Sequence, residues 1–171
     1  MRTRFHGRGL SALVLTAFVF LAAPRPGVAQ AAGDACRLVT PAEMQSLLGA
    51  PVTLQPQKLG DVQACSAGPP AVRATIRLFK RTSDASDDKE KASIETAKKM
   101  GFQIDVTNAN GIMCVTMVPP ASMAQVGVTT SCTVTTKASI TAVIEIAAKE
   151  KKDMVPSATL RSLAAKMATR F

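Results

Sequence analysis

Along the chain the apolar positions change period several times, and each change marks an element. From Ala71 to Phe79 the residues alternate, with Val72, Ala74, Ile76 and Leu78 on one side and Arg73, Thr75, Arg77 and Phe79 on the other. A period of two predicts a β-strand with one face turned to a core. Phe102, Ile104 and Val106 alternate in the same way up to Asn108-Ala109-Asn110-Gly111, whose chemistry suits a tight hairpin. Such a hairpin puts Met113, Val115 and Met117 on the face of Phe102, Ile104 and Val106, and turns Cys114 to the other. From Val128 to Ile146 the even positions hold Val128, Cys132, Val134, Ile140, Ala142, Ile144 and Ile146. That stretch is too long for one strand. It folds back near Thr136-Lys137-Ala138, and unchanged parity requires an odd-length loop.

Between the strands the period shifts to that of helices. Thr40 stands as N-cap, Pro41 at the first helical position, and Glu43 closes a capping box, with Val39 stapled to Met44. Met44, Leu47 and Leu48 form the apolar stripe and Gly49 ends the helix. Ser83 to Lys99 carries Asp84, Asp87, Asp88 and Glu90 early and Lys98 and Lys99 late, which complements a helix macrodipole. Its stripe of Ala92, Ile94, Ala97 and Met100 is thin, so this helix belongs at a surface. A last helix opens at Val155-Pro156-Ser157, with Leu160, Leu163, Ala164 and Met167 on its buried side. Val52 to Gln55 reads as a short strand, followed by a turn at Gly60-Asp61, and Ala148 to Asp153 as a charged loop. Together these elements predict an α+β fold: a mainly antiparallel sheet flanked by about three helices. Apolar residues on both faces of the later strands call for cover on both sides.

The first 31 residues stand apart as a signal peptide. Arg2, Arg4 and Arg8 precede the uncharged apolar run Leu10–Ala23, which is followed by Pro24, Pro26, Gly27 and the small-residue site Ala29-Gln30-Ala31. The run is too short to span a bilayer, and Cys36 lies behind the polar Gly33-Asp34-Ala35 rather than at a lipidation site. The reading is a general secretory signal at 1–31 and a single released domain at 32–171, secreted or periplasmic, with no stable membrane anchor after cleavage. Of the 21 Lys/Arg, four lie in that leader, as does the only histidine, His6. The remaining chain has no histidine, tryptophan or tyrosine, and its only aromatics are Phe79, Phe102 and Phe171.

Cys36, Cys65, Cys114 and Cys132 all fall in the exported part, where an even count predicts disulfides. Cys114 and Cys132 are symmetric about residue 123 in the loop Pro119–Gln125, so a simple hairpin sets them opposite each other. That pairs Cys114 with Cys132 and leaves Cys36 for Cys65.

This inventory excludes much. Without histidine there is no Ser-His-Asp or Cys-His site and no His-ligated metal. No two cysteines show C-x-x-C spacing. The methionines Met113, Met117 and Met123 read as packing rather than as a soft-metal site, and Glu145 stands on a solvated face. No catalytic residue, metal or cofactor is expected. Nucleic acid is not an expected partner either, since single-strand binding normally stacks bases on aromatics. One surface feature remains: the basic stripe of Arg73 and Arg77, with Phe79 between Arg77 and Arg81, on the outer side of the Ala71–Phe79 strand. It suits an anionic ligand or an acidic protein surface.

The segment Cys36-Arg-Leu-Val-Thr40-Pro-Ala-Glu43-Met-Gln-Ser-Leu47-Leu-Gly49-Ala-Pro51-Val52, with the second cysteine Cys65 and the closing Leu163-Ala164-Ala165-Lys166-Met167 helix, resembles small exported bacterial domains best known as actinobacterial lipoproteins. Those domains are similar to the Mog1/PsbP-like sandwich, so the resemblance implies an antiparallel sheet between helices and carries no catalytic residue. The function expected is a non-enzymatic binding or accessory module of the cell envelope. The alternative is a secreted inhibitor or effector that presents the disulfide-clamped loop 119–127 to a target enzyme.

Overall fold

Two antiparallel meanders share one seven-stranded sheet. The structure, a computed structural model, describes residues 34–80, 85–135 and 140–170; the signal-peptide reading lies outside them. The first meander is β1 (Gln55–Leu59), β2 (Val62–Ala67) and β3 (Val72–Lys80); the second is β4 (Gln103–Ala109), β5 (Ile112–Val118), β6 (Val128–Thr135) and β7 (Ile140–Ala148). Their spatial order is β1-β2-β3-β7-β6-β5-β4, so the central join is between β3 and β7. The helices are α1 (Asp34–Arg37), α2 (Pro41–Leu48), α3 (Ala85–Lys99) and α4 (Ser157–Ala168).

The expected registers are present. Asn110 and Gly111, at φ 54° and 72°, form the two-residue turn after Ala109, the geometry that favours Asn-Gly. Cys114 sits opposite Cys132 across β5 and β6 with Cα atoms 4.1 Å apart, and the two are joined; Cys36 is joined to Cys65. Thr135 pairs with Thr141, so parity is carried unchanged from β6 to β7.

The core lies on one face of the sheet. Val72, Ala74, Ile76 and Leu78 of β3 point to it, as do Ala142, Ile144 and Ile146 of β7 and Cys132 and Val134 of β6. Helices α1, α2 and α4 close it, with Met44 from α2 and Leu160, Leu163, Ala164 and Met167 from α4 buried there. α2 forms as its sequence dictates: the Thr40 hydroxyl accepts from the Glu43 N–H at 3.2 Å, the Glu43 carboxylate accepts from the Thr40 N–H at 2.9 Å, and Gly49 ends the helix at φ 71°. The chain just after α4 ties back to it. Arg170 donates to both Glu43 carboxylate oxygens at 2.7 and 2.8 Å and to the Leu38 carbonyl at 2.7 Å.

Three expectations need correction. The first strand begins at Gln55, not Val52, because Pro51 to Leu54 takes no sheet pairing. A further strand, β2, lies where no strand was expected; Gln, Ala, Cys and Ser carry little β-propensity, and it is held by β1 and β3 on its two sides and by the Cys65 disulfide. Finally, the cover on the outer face is partial among the described residues: Val115, Thr141 and Val143 are buried there, but much of the face is not. α3 packs against the edge strand β4, with Ile94 and Ala97 half-buried and Met100 53% exposed. A stripe that narrow has too little apolar area to hold a helix across several strands. Met113, Met117, Thr129, Ser131, Thr133 and Glu145 stay half-exposed as a result.

Candidate functional site

The outer face carries the polar side chains of β3, and the neighbouring strands decide what each of them can do. Thr75 lies opposite Glu145, Arg77 opposite Val143 and Arg73 opposite Ala147. Residues on one face that are two apart on neighbouring strands are diagonal neighbours within reach of long side chains. Arg77 uses that reach: its Nη2 meets the Glu145 carboxylate at 2.8 Å. Glu145, expected on a solvated face, is therefore the partner of a stripe arginine. Phe79 is half-buried opposite Thr141, and Arg81 lies outside the described residues.

Arg73 has a different setting. It is exposed and makes no ion pair with any of the described residues. It stands where two clefts meet. One, of about 390 Å³, runs along the start of β3 toward the free edge of the sheet and is lined by Thr53, Gln55, Gln57, Ser66 and Gly68 with Arg73. There the Gln57 amide donates to the Ser66 hydroxyl at 2.9 Å. The second, of about 340 Å³, lies on the opposite side of Arg73 and is lined by Gln125, Val126 and Gly127, by Ala147 and by Lys149. Among the described residues no carboxylate lines either cleft.

Each cleft is bordered by a glycine whose place a side chain would strain. Gly68 has φ 99°, and a Cβ there would lie 2.5 Å from the Val72 carbonyl oxygen. Gly127 has φ 78°, and its Cβ would lie 2.5 Å from the Ala148 carbonyl oxygen. The backbone thus approaches closely on both sides of Arg73, in conformations that only glycine adopts without cost.

The stripe divides accordingly. Arg73 and Arg77 are about 13 Å apart along the strand, and Arg77 lines neither cleft. The arrangement instead joins Arg73 to the loop 119–127, a 3₁₀ segment over Ala121–Val126 whose Val126 is 53% exposed. Lys149, Gln55, Gln57 and Ser66 were not among the expected site residues. Lys149 shares odd parity with Glu145 and Ala147, which was a signal for it; the glutamines belong to a strand with no alternation to read.

All four cysteines are consumed in disulfides. No group of three His, Cys, Asp or Glu among the described residues could hold a metal ion, and no described helix is long and apolar enough to cross a membrane. Comparison with protein-family models, with curated proteins and with solved structures finds no match to this chain.

Proposed function

We propose that the chain is an exported, non-enzymatic binding or accessory module of the cell envelope, which holds an anionic ligand or an acidic protein surface through Arg73. Residues 1–31 are its secretory signal on this reading, and two disulfides suit an oxidising compartment outside the cytosol. Its antiparallel sheet flanked by helices is taken to be a Mog1/PsbP-like sandwich. The observation that carries the binding role is Arg73 itself, a cation without an ionic partner among the described residues, at the junction of two carboxylate-free clefts. A planar guanidinium so placed offers bidentate donation to an oxyanion.

The test is a binding panel of citrate, a glucuronate oligomer and an acidic peptide, measured by NMR shift perturbation on the wild type and on Arg73→Ala. At least one of the three should bind with shifts around Arg73 and lose about tenfold in affinity in the variant. No carboxylate ligand binding, or binding that ignores the substitution, counts against the reading.

The exposed Val126 favours a second reading, a secreted inhibitor or effector that inserts loop 119–127 into a target enzyme. In that case Val126→Asp abolishes capture of the target and Arg73→Ala does not.

A further inference from the structure

Arg73 and Lys149 stand in the same geometric relation as Arg77 and Glu145, with one sign reversed. Arg77 lies opposite Val143 and reaches Glu145, two residues further along β7. Arg73 lies opposite Ala147, and two residues further along is Lys149. The register holds to that point, because the Lys149 N–H donates to the Ala71 carbonyl at 3.0 Å. Both cations line the cleft beside loop 119–127. Glu150, the nearest carboxylate in sequence, is engaged by Lys152 at 2.9 Å, and Glu145 by Arg77. The diagonal that stabilises one end of the β3–β7 pair therefore places two like charges together at the other.

A like-charged neighbour pair is a cost to the fold, and it becomes favourable once an anion bridges it. We propose that Arg73 and Lys149 form a phosphate site whose ligand is a phosphomonoester of a small polar molecule. This rests on the reading of Arg73 as an anion-binding residue and narrows it. A carboxylate brings one charge and two oxygens; a phosphomonoester brings close to two charges at neutral pH and three acceptor oxygens. That matches a fork of donors from Arg73 together with the point charge of Lys149. The rest of the ligand extends into the cleft on the far side of Arg73, where Gln55, Gln57 and Ser66 supply amides and a hydroxyl and no aromatic side chain is present. Such a lining selects a hydroxylated body over an apolar one.

The phosphomonoester can be free or can be the headgroup of a lipid, and the experiment separates these. Glycerol 3-phosphate is titrated into the purified protein by NMR and calorimetry, with succinate as the dicarboxylate control. In parallel, flotation is measured with phosphatidylcholine vesicles that do or do not contain phosphatidylinositol 4-phosphate, whose headgroup is a hydroxylated phosphomonoester. The expected result is binding of glycerol 3-phosphate, of the phosphatidylinositol 4-phosphate vesicles, or of both, and the positive arm names the source. Arg73→Ala and Lys149→Gln should each weaken it about tenfold, while Arg77→Ala leaves it within about twofold.

Lys149→Glu recreates at Arg73 the pairing that Arg77 already has. It should abolish binding and raise the Tm of the free protein, a combination that a merely structural lysine does not produce. The proposal is overturned if no phosphomonoester binds in either arm, if succinate binds as tightly, or if binding survives in both Arg73→Ala and Lys149→Gln. If carboxylate ligands bind through Arg73 and phosphomonoesters do not, the phosphate site falls and the general anion-binding role stands; if nothing anionic binds, both fall.

Discussion

Arg73 and Arg77 show how little of a residue's role is set by its own strand. They share a face, a strand and a residue type, yet one is neutralised and one is not, because the diagonal from Arg77 leads to Glu145 in β7 and the diagonal from Arg73 leads to Lys149, just past the end of β7. The Arg77–Glu145 pair is itself modest: the two side chains are 38% and 32% exposed, so solvent screens much of the attraction. A double-mutant cycle on Arg77→Ala and Glu145→Ala should give a coupling of about 0.5 kcal/mol, shrinking in about 1 M salt. Urea unfolding of the four proteins checks it, and a coupling above about 2 kcal/mol would mean that the pair is shielded far better than its exposure implies. At this scale the sequence made the stripe legible through its alternation but not its partners. Parity tells which side a residue faces; it does not tell which strand lies alongside.

The same distinction governs the elements. α2 was readable residue by residue because its cap, its first-turn proline and its terminal glycine act within a few positions. The β4–β5 turn and the Cys114–Cys132 pairing were readable because hairpins close locally. β2 was not, since Gln63, Ala64, Cys65 and Ser66 become a strand through what flanks them, and the partial cover of the outer face was not, since it depends on how much of α3 docks. The glycines at element ends sort in a similar way. Gly111 serves a turn with open space around the position of a Cβ, whereas a Cβ on Gly127 would press to 2.5 Å on the Ala148 carbonyl. Gly111→Ala should therefore cost only its conformational strain, about 1–2 kcal/mol, and Gly127→Ala more, about 3 kcal/mol. Gly127→Ala should also displace the loop from Arg73 and perturb the NMR resonances of Arg73 and Lys149, which Gly111→Ala should leave in place. Equal destabilisation by the two substitutions would refute the close approach.

At the scale of the molecule, the two meanders meet at β3 and β7, and the layer of helices over them is closed by contacts between the two ends of the described chain. Arg170, after α4, donates to Glu43 in α2 and to the Leu38 carbonyl between α1 and α2. The Arg170 hydrogen bonds are the main reason that the Glu43 carboxyl is held far below its ordinary value of 4.5, at about 2; burial opposes this, and the Thr40 N–H and hydroxyl assist it. The linkage follows from that direction. An unfolded chain takes up the Glu43 proton near pH 4.5, whereas the folded protein resists until about pH 2, so the stabilisation is complete above about pH 5 and is lost as pH falls from 4.5 to 2. Arg170 and Glu43 side chains are 31% and 18% exposed, which screens part of the attraction and leaves about 2 kcal/mol for the clamp at neutral pH. Arg170→Ala should lower the unfolding free energy by that amount at pH 7, by about the same at pH 5, and by much less at pH 2.5, where the unfolded carboxyl is protonated and the folded one, still mostly ionised, must hold its charge against that proton uptake. Urea unfolding of the two proteins at the three pH values measures the difference directly. A gap between them that stays constant down to pH 2.5 would show that Arg170 acts through the Leu38 carbonyl and packing alone, and that Glu43 contributes nothing through its charge.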